Sequence, residues 1–321
     1  MSFIERFEGF LLGLCARYGE RRVIALSLLG IAGFASVTIQ ILIRTDYDHS
    51  GLLYLAVPYV VAVLITLLRP YENGQHWWQQ YLSHALSALV VFLGSSVLLL
   101  EGFICVLFFM PIYFVGVTLA FLAHWMTIAW GNRRGKTYAT AIPLLVAVLS
   151  LEGTTEQTTF DRSNVATAEV LTHLSSEELL SNLAQPFVLP PSNDWMLGIF
   201  PMPYDIQAGT LNVGDVHRAQ LRYKRWFVTN VHNGEIAIRI DSVESDRVTA
   251  SFVKDTSYFS NYLTLTGSDI RFAATEQGTT KVTLSIAYER ELDPAWYFQP
   301  IQQYAVAAMA EHLVEQLLIR E

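Results

Sequence analysis

Twenty-one consecutive residues, Val23 to Ile43, carry no charged side chain, with Arg21 and Arg22 before them and Arg44 after. A helix needs about 20 apolar residues to cross a bilayer core about 30 Å thick, so a run of this length belongs in lipid. The pattern recurs. Leu52–Leu68 stops at Arg69-Pro70, Leu82–Leu100 follows, and Phe103–Trp130 is twenty-eight residues without charge. That last run holds Pro111 and Gly116 and is too long for one upright helix, so it tilts, kinks at Pro111 or opens with a re-entrant piece. Thr137–Leu151 is a shorter fifth candidate, lengthened if Lys136 snorkels. Met1–Glu20 sets Phe3, Phe7, Phe10, Leu11 and Leu14 on one helical face, as in a helix lying along the interface. No small-residue cut site follows the first run, which is therefore expected to remain as an anchor.

Charge divides the chain in the same place. Residues 1–151 hold nine Lys/Arg and seven Asp/Glu, whereas residues 152–321 hold twelve and twenty-two. A net-positive apolar half followed by an acidic, polar half excludes a single globular enzyme and a disordered chain. It also excludes nucleic acid as a partner, since phosphate asks for a basic field. The expected organisation is an interfacial helix over 1–20, four or five membrane helices over 21–151, a linker over 152–164 and a soluble domain over 165–321. Arg6, Arg17, Arg21, Arg22, Arg69, Arg133, Arg134 and Lys136 fall on one side of such a bundle and Arg44 alone on the other. The positive-inside rule then puts the N-terminus in the cytoplasm. A fifth crossing exports the acidic domain; a surface-lying 137–151 segment would leave it inside. Cys15 and Cys105 are the only cysteines, so no disulfide framework or cysteine zinc site is on offer.

Polar residues in apolar runs invite functional readings. Glu101 stands between the third and fourth runs, where it is either a solvated turn carboxylate or a proton or cation site. His84 and His124 lie at similar depth and could face each other across a haem or metal, or simply be hydrogen-bonded packing residues. No Gly-rich phosphate loop, H-E-x-x-H or G-x-S-x-G occurs, and the sequence calls for no cofactor.

The second half reads as α+β. Val165–Leu171 alternates as a strand does, and Ser175-Ser176-Glu177-Glu178 is a capping box opening a short helix through Leu183. Trp195 to Tyr204 is apolar, aromatic and broken by Pro201 and Pro203, so it is expected as a loop, neither helix nor central strand. From Gly214 the period becomes two. Val216–Val231 supplies a long strand, Asn233-Gly234 is a hairpin turn signal, and Val248–Lys254, Ile270–Ala274 and Val282–Glu289 complete an antiparallel meander of about six strands. Val282, Leu284, Ile286 and Tyr288 share one face, which needs cover. Asp293-Pro294 reads as N-cap and N1, Pro300 as the end of a separate first turn, and Ile301–Arg320 as the covering helix. Its apolar stripe is Ile301, Tyr304, Ala305, Ala308, Met309, His312, Leu313, Gln316 and Leu317.

Gly214-Asp215-Val216-His217-Arg218 after a Phe-Pro-Met-Pro loop, with the Gly278-Thr279 turn before Val282–Tyr288, resembles the START-like (SRPBCC) superfamily of polyketide cyclases and lipid-transport proteins. The resemblance covers about residues 163–320 and rests mostly on element order and spacing. Glu101-Gly102-Phe103-Ile104-Cys105 with Pro111 is similar to bacterial membrane proteins that carry several spans ahead of such a domain. The superfamily implies a helix-grip fold, an antiparallel sheet around a long C-terminal helix, with an apolar cavity between them. It would make Trp195, Phe200, Met202 and Tyr204 a lid, and Tyr258, Phe259 and Tyr262 an opposing loop. Trp296, Tyr304 and Met309 would line the helix side, with Arg218, Arg222 and His312 as polar pocket residues. Pro300 departs from the pattern and threatens to shorten the gripping helix.

The favoured expectation is a membrane-anchored module that binds a lipid, quinone or similar hydrophobic small molecule at the bilayer surface. An apolar loop at Trp195–Tyr204 is poorly placed in a solid core and well placed over a cavity. The first alternative is a cyclase- or dehydratase-like enzyme, whose acid or base would come from His217, Arg218, Arg222 or His312. The second makes the spans a small transporter or haem protein, with the soluble domain regulating it.

Overall fold

The computed structural model describes residues 9–10, 13–14, 16, 19–47, 49–68, 76–99, 103–129, 133–190, 197, 200–226 and 229–318. Most of the expected interfacial helix, and both Glu101 and Trp195, lie outside the described residues. The chain divides into two compact units, Met1–Thr159 and Phe160–Glu321.

The first unit is helical: α1 Glu20–Arg44, a π-helical turn Leu52–Ala56 leading into α2 Val57–Leu68, α3 Trp77–Leu99, α4 Phe103–Ala129 and α5 Arg133–Leu149. Among the described residues two stretches are long and apolar enough to cross a membrane, Val23–Arg44 and Val106–Met126. Four or five such spans were expected. Leu52–Leu68 is apolar but shorter, the first two turns of α3 carry Gln79, Gln80, Ser83 and His84, and α5 opens on Arg133, Arg134 and Lys136. α4 runs unbroken through Pro111, with no separate re-entrant piece. Packing in this unit relies on small residues. A Cβ on Gly116 of α4 would stand 3.0 Å from Pro58 Cβ and 3.2 Å from the Tyr59 nitrogen, so glycine lets two helix backbones approach.

The second unit is one eight-stranded antiparallel sheet with a long helix against it. Its strands are β1 Ser163–Thr172, β2 Phe187–Val188, β3 Met202–Gln207, β4 Val216–Trp226, β5 Thr229–Val243, β6 Arg247–Asp255, β7 Leu263–Ala274 and β8 Thr280–Arg290. The order across the sheet is β1-β8-β7-β6-β5-β4-β3-β2. Register shifts between Pro203 and Asp205, at Ala237/Ile238 and Ile240/Ser242, and at Leu265/Gly267 are the irregularities that bend and twist strands, and they curl this sheet into a half-barrel. α6 Ser176–Leu183 starts at Ser175, whose hydroxyl accepts from the Glu178 N–H while the Glu178 carboxylate takes the Ser175 N–H at 2.7 Å, the capping box the sequence foretells.

Three turn and breaker signals resolve differently. Asn233-Gly234 is no turn: both lie inside β5, opposite Arg222 and Leu221, and the chain reverses earlier, where Trp226 pairs with Thr229. The glycine serves a close approach instead. A Cβ there would stand 2.5 Å from Ser257 Cα and 2.6 Å from the Thr256 carbonyl oxygen, where Thr256 donates to the Glu235 carbonyl at 2.9 Å. Pro203 sits in a strand, yet at the register shift and beyond the reach of β2, which pairs only with Asp205 and Ile206; its missing N–H therefore breaks no ladder. Pro300 lies inside α7, Ala295–Leu318, which is one helix with no separate first turn. Pro300 is exposed in the second turn, so the Trp296 carbonyl it leaves without a helical partner can turn to water.

Asp293 is not a helix cap but a buried counter-ion. Arg290 is fully buried, and its Nη1 bonds both the Leu292 carbonyl and the Asp293 carboxylate. Arg162 reaches the other Asp293 oxygen at 2.7 Å and pairs with Glu291 at 3.5 Å. The first helical N–H groups answer to the Pro294 carbonyl, from Tyr297 and Phe298 at 3.1 Å each. Removing one member of a buried pair strands the other. Asp293→Ala is therefore expected to destabilise this unit by about 3–5 kcal/mol, measured by denaturant unfolding of the detergent-solubilised chain. Gly234→Ala must displace backbone rather than a side-chain tip. It is expected to cost about 1–3 kcal/mol, read as a lowered Tm.

Candidate functional site: an apolar cavity under the sheet

α7 covers only part of the concave face. Among its buried side chains, Phe298, Gln302, Val306, Ala310 and Val314 recur every four residues, one helical face, and its close backbone neighbours are β1, β8 and α6. Ala166 and Ala168 of β1 and Val282, Leu284, Ile286 and Tyr288 of β8 pack in the same core as Val306, Ala310 and Val314. This stripe is rotated from the expected one, because an alanine-rich helix is apolar most of the way round and periodicity does not single out a face. The adjoining row, Ala305, Met309 and Leu313, forms one wall of a cavity.

That cavity holds about 230 Å³ open to the centres of water-sized molecules. Its floor is the inward face of β4 to β7, including Ala219, Leu221, Ile236, Ile238, Ala250 and Ile270. The parting of β6 and β7 widens it. Those strands pair only as far as Ser251 opposite Gly267, and beyond that point Phe252, Phe259, Leu263 and Leu265 line the space. Among the described residues, twenty-five line the cavity and only His217 and Ser268 bring polar side chains.

The residues singled out by sequence fall in several places. Phe259 and Met309 are at the cavity wall. Phe200 stacks on Phe259 with ring centres 6.0 Å apart, so the two aromatic segments meet. Tyr258 is buried on Tyr223 at 4.5 Å and edge-on to Tyr262 at 5.6 Å, and the Tyr262 carbonyl accepts from Gln302 at 2.9 Å; both tyrosines hold the loop behind Phe259. Met202 is half-buried on β3 opposite Arg222. Facing outward are Tyr204, with the Arg222 guanidinium 4.7 Å above its ring, and Arg218, paired with Glu235 at 3.0 Å. Trp296 and Tyr304 are each 52% exposed. His312 is buried in α7 but does not line the cavity.

His217 is one of the two polar residues that reach the cavity. Strand alternation separates it from Arg218: the arginine is exposed and the imidazole buried, as period two requires. Its Nε2 lies 3.1 Å from the Thr210 carbonyl oxygen. A carbonyl only accepts, so Nε2 carries the hydrogen. Nearby, Asp215 is held below the usual carboxylate range, first by the Thr210 hydroxyl and then by the Asn212 N–H, with the His217 charge adding a little.

In the helical unit, His84 is buried, its Nδ1 2.8 Å from the Gln80 carbonyl oxygen and its ring edge-on to Phe121 at 5.6 Å. His124 follows Phe121 by three residues on α4. Among the described residues no three His, Cys, Asp or Glu side chains gather as a metal site.

No family model matches the chain, and no curated protein matches it. Solved structures similar to its second half include the Zhui aromatase/cyclase from a Streptomyces strain, 11% identical, covering 49% of this chain and 92% of that one with a TM-score of 0.32. A START superfamily protein from Mycobacterium smegmatis is 12% identical, covering 49% and 95% with a TM-score of 0.29. Ara h 8.0201 is 13% identical, covering 49% and 98% with a TM-score of 0.30.

An enlarged side chain distinguishes a void from a packed core. Ala250→Leu places its added methylenes in the cavity. Thermal unfolding is expected to show stability unchanged or raised by up to about 1 kcal/mol, where a filled interior would lose about 1–3 kcal/mol.

Proposed function

We propose that this chain is a membrane-held module whose Phe160–Glu321 unit binds a hydrophobic small molecule, a lipid, quinone or similar, in the cavity between α7 and strands β4 to β7. The observation that carries the reading is a 230 Å³ space walled almost wholly by hydrocarbon. Protein interiors are close-packed, and a void forfeits the dispersion contacts of its lining. Twenty-three apolar residues around a retained space are the wall that a lipid-like molecule completes.

Membrane anchoring is supported by what the helical unit leaves uncovered. Leu26, Leu29, Phe34, Val37 and Ile41 on α1, Leu82, Leu86, Val90 and Leu93 on α3, and Leu144, Leu145 and Val148 on α5 are all exposed. Large apolar side chains in rows along three helices are rarely left to water. The eight-to-one distribution of Lys and Arg supports a cytoplasmic N-terminus, with the acidic unit outside. Tethering keeps the cavity beside a reservoir of lipid, so its intrinsic affinity need not be high.

Native mass spectrometry of the full chain, released from mild detergent, is expected to show a bound apolar molecule. Ala250→Trp, which occupies the cavity, is expected to lose it while retaining the wild-type circular dichroism. An unliganded wild-type chain that also takes up no added lipid would overturn the reading. Protease added to spheroplasts is expected to clip the Phe160–Glu321 unit; cleavage only after lysis would place that unit inside.

A further inference from the structure

The cavity reading leaves the ligand's chemistry open, and the two polar side chains in the wall narrow it. No arginine, lysine, aspartate or glutamate is among the described lining residues. Arg218 and Arg222, the nearest cations along β4, lie on the exposed face, so a ligand carboxylate or phosphate would enter without a fixed counter-charge. His217 differs from an ordinary core histidine in how its two nitrogens are used. Nε2–H is committed to the Thr210 carbonyl at 3.1 Å, which leaves Nδ1 as the nitrogen that an incoming group can meet. Among the described residues the ring's one hydrogen bond is that to Thr210. Ser268 does not share this constraint. It lies on β7, three strand spacings from β4 or about 14 Å along the sheet, and a hydroxyl can rotate toward the carbonyls of its own strand.

We propose that His217 reads a hydrogen-bond donor on the ligand, so that the cavity selects a neutral molecule with an oily body and a hydroxyl group, in preference to a fatty acid or a molecule with acceptors alone. The proposal rests on the cavity reading above. Within it, Ala305, Met309 and the β5 isoleucines would hold the hydrocarbon, and Nδ1 would accept the hydroxyl proton near the Thr210–Asp215 turn. The preference arises because a hydroxyl gives Nδ1 a hydrogen bond that an ether or a bare hydrocarbon cannot.

The test uses the full chain in detergent and three probes of equal chain length: 1-dodecanol, dodecyl methyl ether and dodecanoate. Bound species are counted by native mass spectrometry with the alcohol and ether in competition. The natural chain is expected to hold the alcohol about tenfold better than the ether. In His217→Phe that ratio should collapse to within about twofold, the ether's own occupancy being retained. Should this variant fail to fold, the imidazole ¹⁵N signals of the natural chain serve instead. The Nδ1 lone-pair signal is expected to move on adding dodecanol and to stay put with the ether. Equal binding of alcohol and ether by the natural chain would sink the role of His217 while leaving the cavity reading standing. Dodecanoate bound ahead of the alcohol would sink it too, through an ion pair on the imidazolium. Binding of none of the three would overturn the cavity reading itself.

Discussion

The second unit is governed by where one helix touches a curled sheet. A single helix is about 10 Å wide, and the concave face of eight strands is several times that. Alanines decide which strip is covered: Ala166 and Ala168 on β1 and Ala310 on α7 share the core with Val306 and Val314, and short side chains let the helix settle along β1 and β8 at close range. Everything at the other end of the sheet follows. Inward residues of β4 to β7, with Ala305, Met309 and Leu313 on the helix flank, border the space that is left. The space between is a consequence of geometry more than of any one residue.

Much of this architecture can be read from local chemistry. The capping box at Ser175 and Glu178 is self-contained, because both partners lie within one turn, and it appears as written. The alternation of Val282, Leu284, Ile286 and Tyr288 likewise survives, since a strand's period depends on nothing distant. Asn233-Gly234 misleads for the opposite reason. Its glycine answers to Thr256 and Ser257, more than twenty residues on in sequence, and a dipeptide cannot announce a neighbour so far away. Pro203 and Pro300 mislead because a missing N–H matters only where a partner waits for it; at a register shift or on an exposed helical face none does.

The cavity is less legible than the fold. Aromatic side chains stand out in a sequence, and Phe259 at the wall is one of them, yet Trp296 and Tyr304 face outward. Most of the wall is aliphatic: Ile236, Ile238, Ile240 and Leu265 look the same in a strand whether a partner or an empty space lies beyond them. His217, already a candidate acid or base in the sequence, is legible from its position, one residue out of phase with Arg218 on a strand whose other face is charged. A histidine on the inward phase of such a strand is either satisfied locally or turned to use, and its Thr210 contact satisfies only half of it.

The placement of β1 has a bearing on synthesis. Its side chain Thr167 hydrogen-bonds Ser285 of β8 across 118 residues of sequence, and the helix that seals both strands follows β8 in the chain. A chain emerging from the ribosome therefore carries its first strand with an open edge until nearly the whole unit has appeared. Pairing over such a separation is slow, because loop closure precedes any reward in contacts, and unpaired edges invite association. For this protein β1 therefore waits for β8 with its edge unpaired through most of the synthesis of the unit.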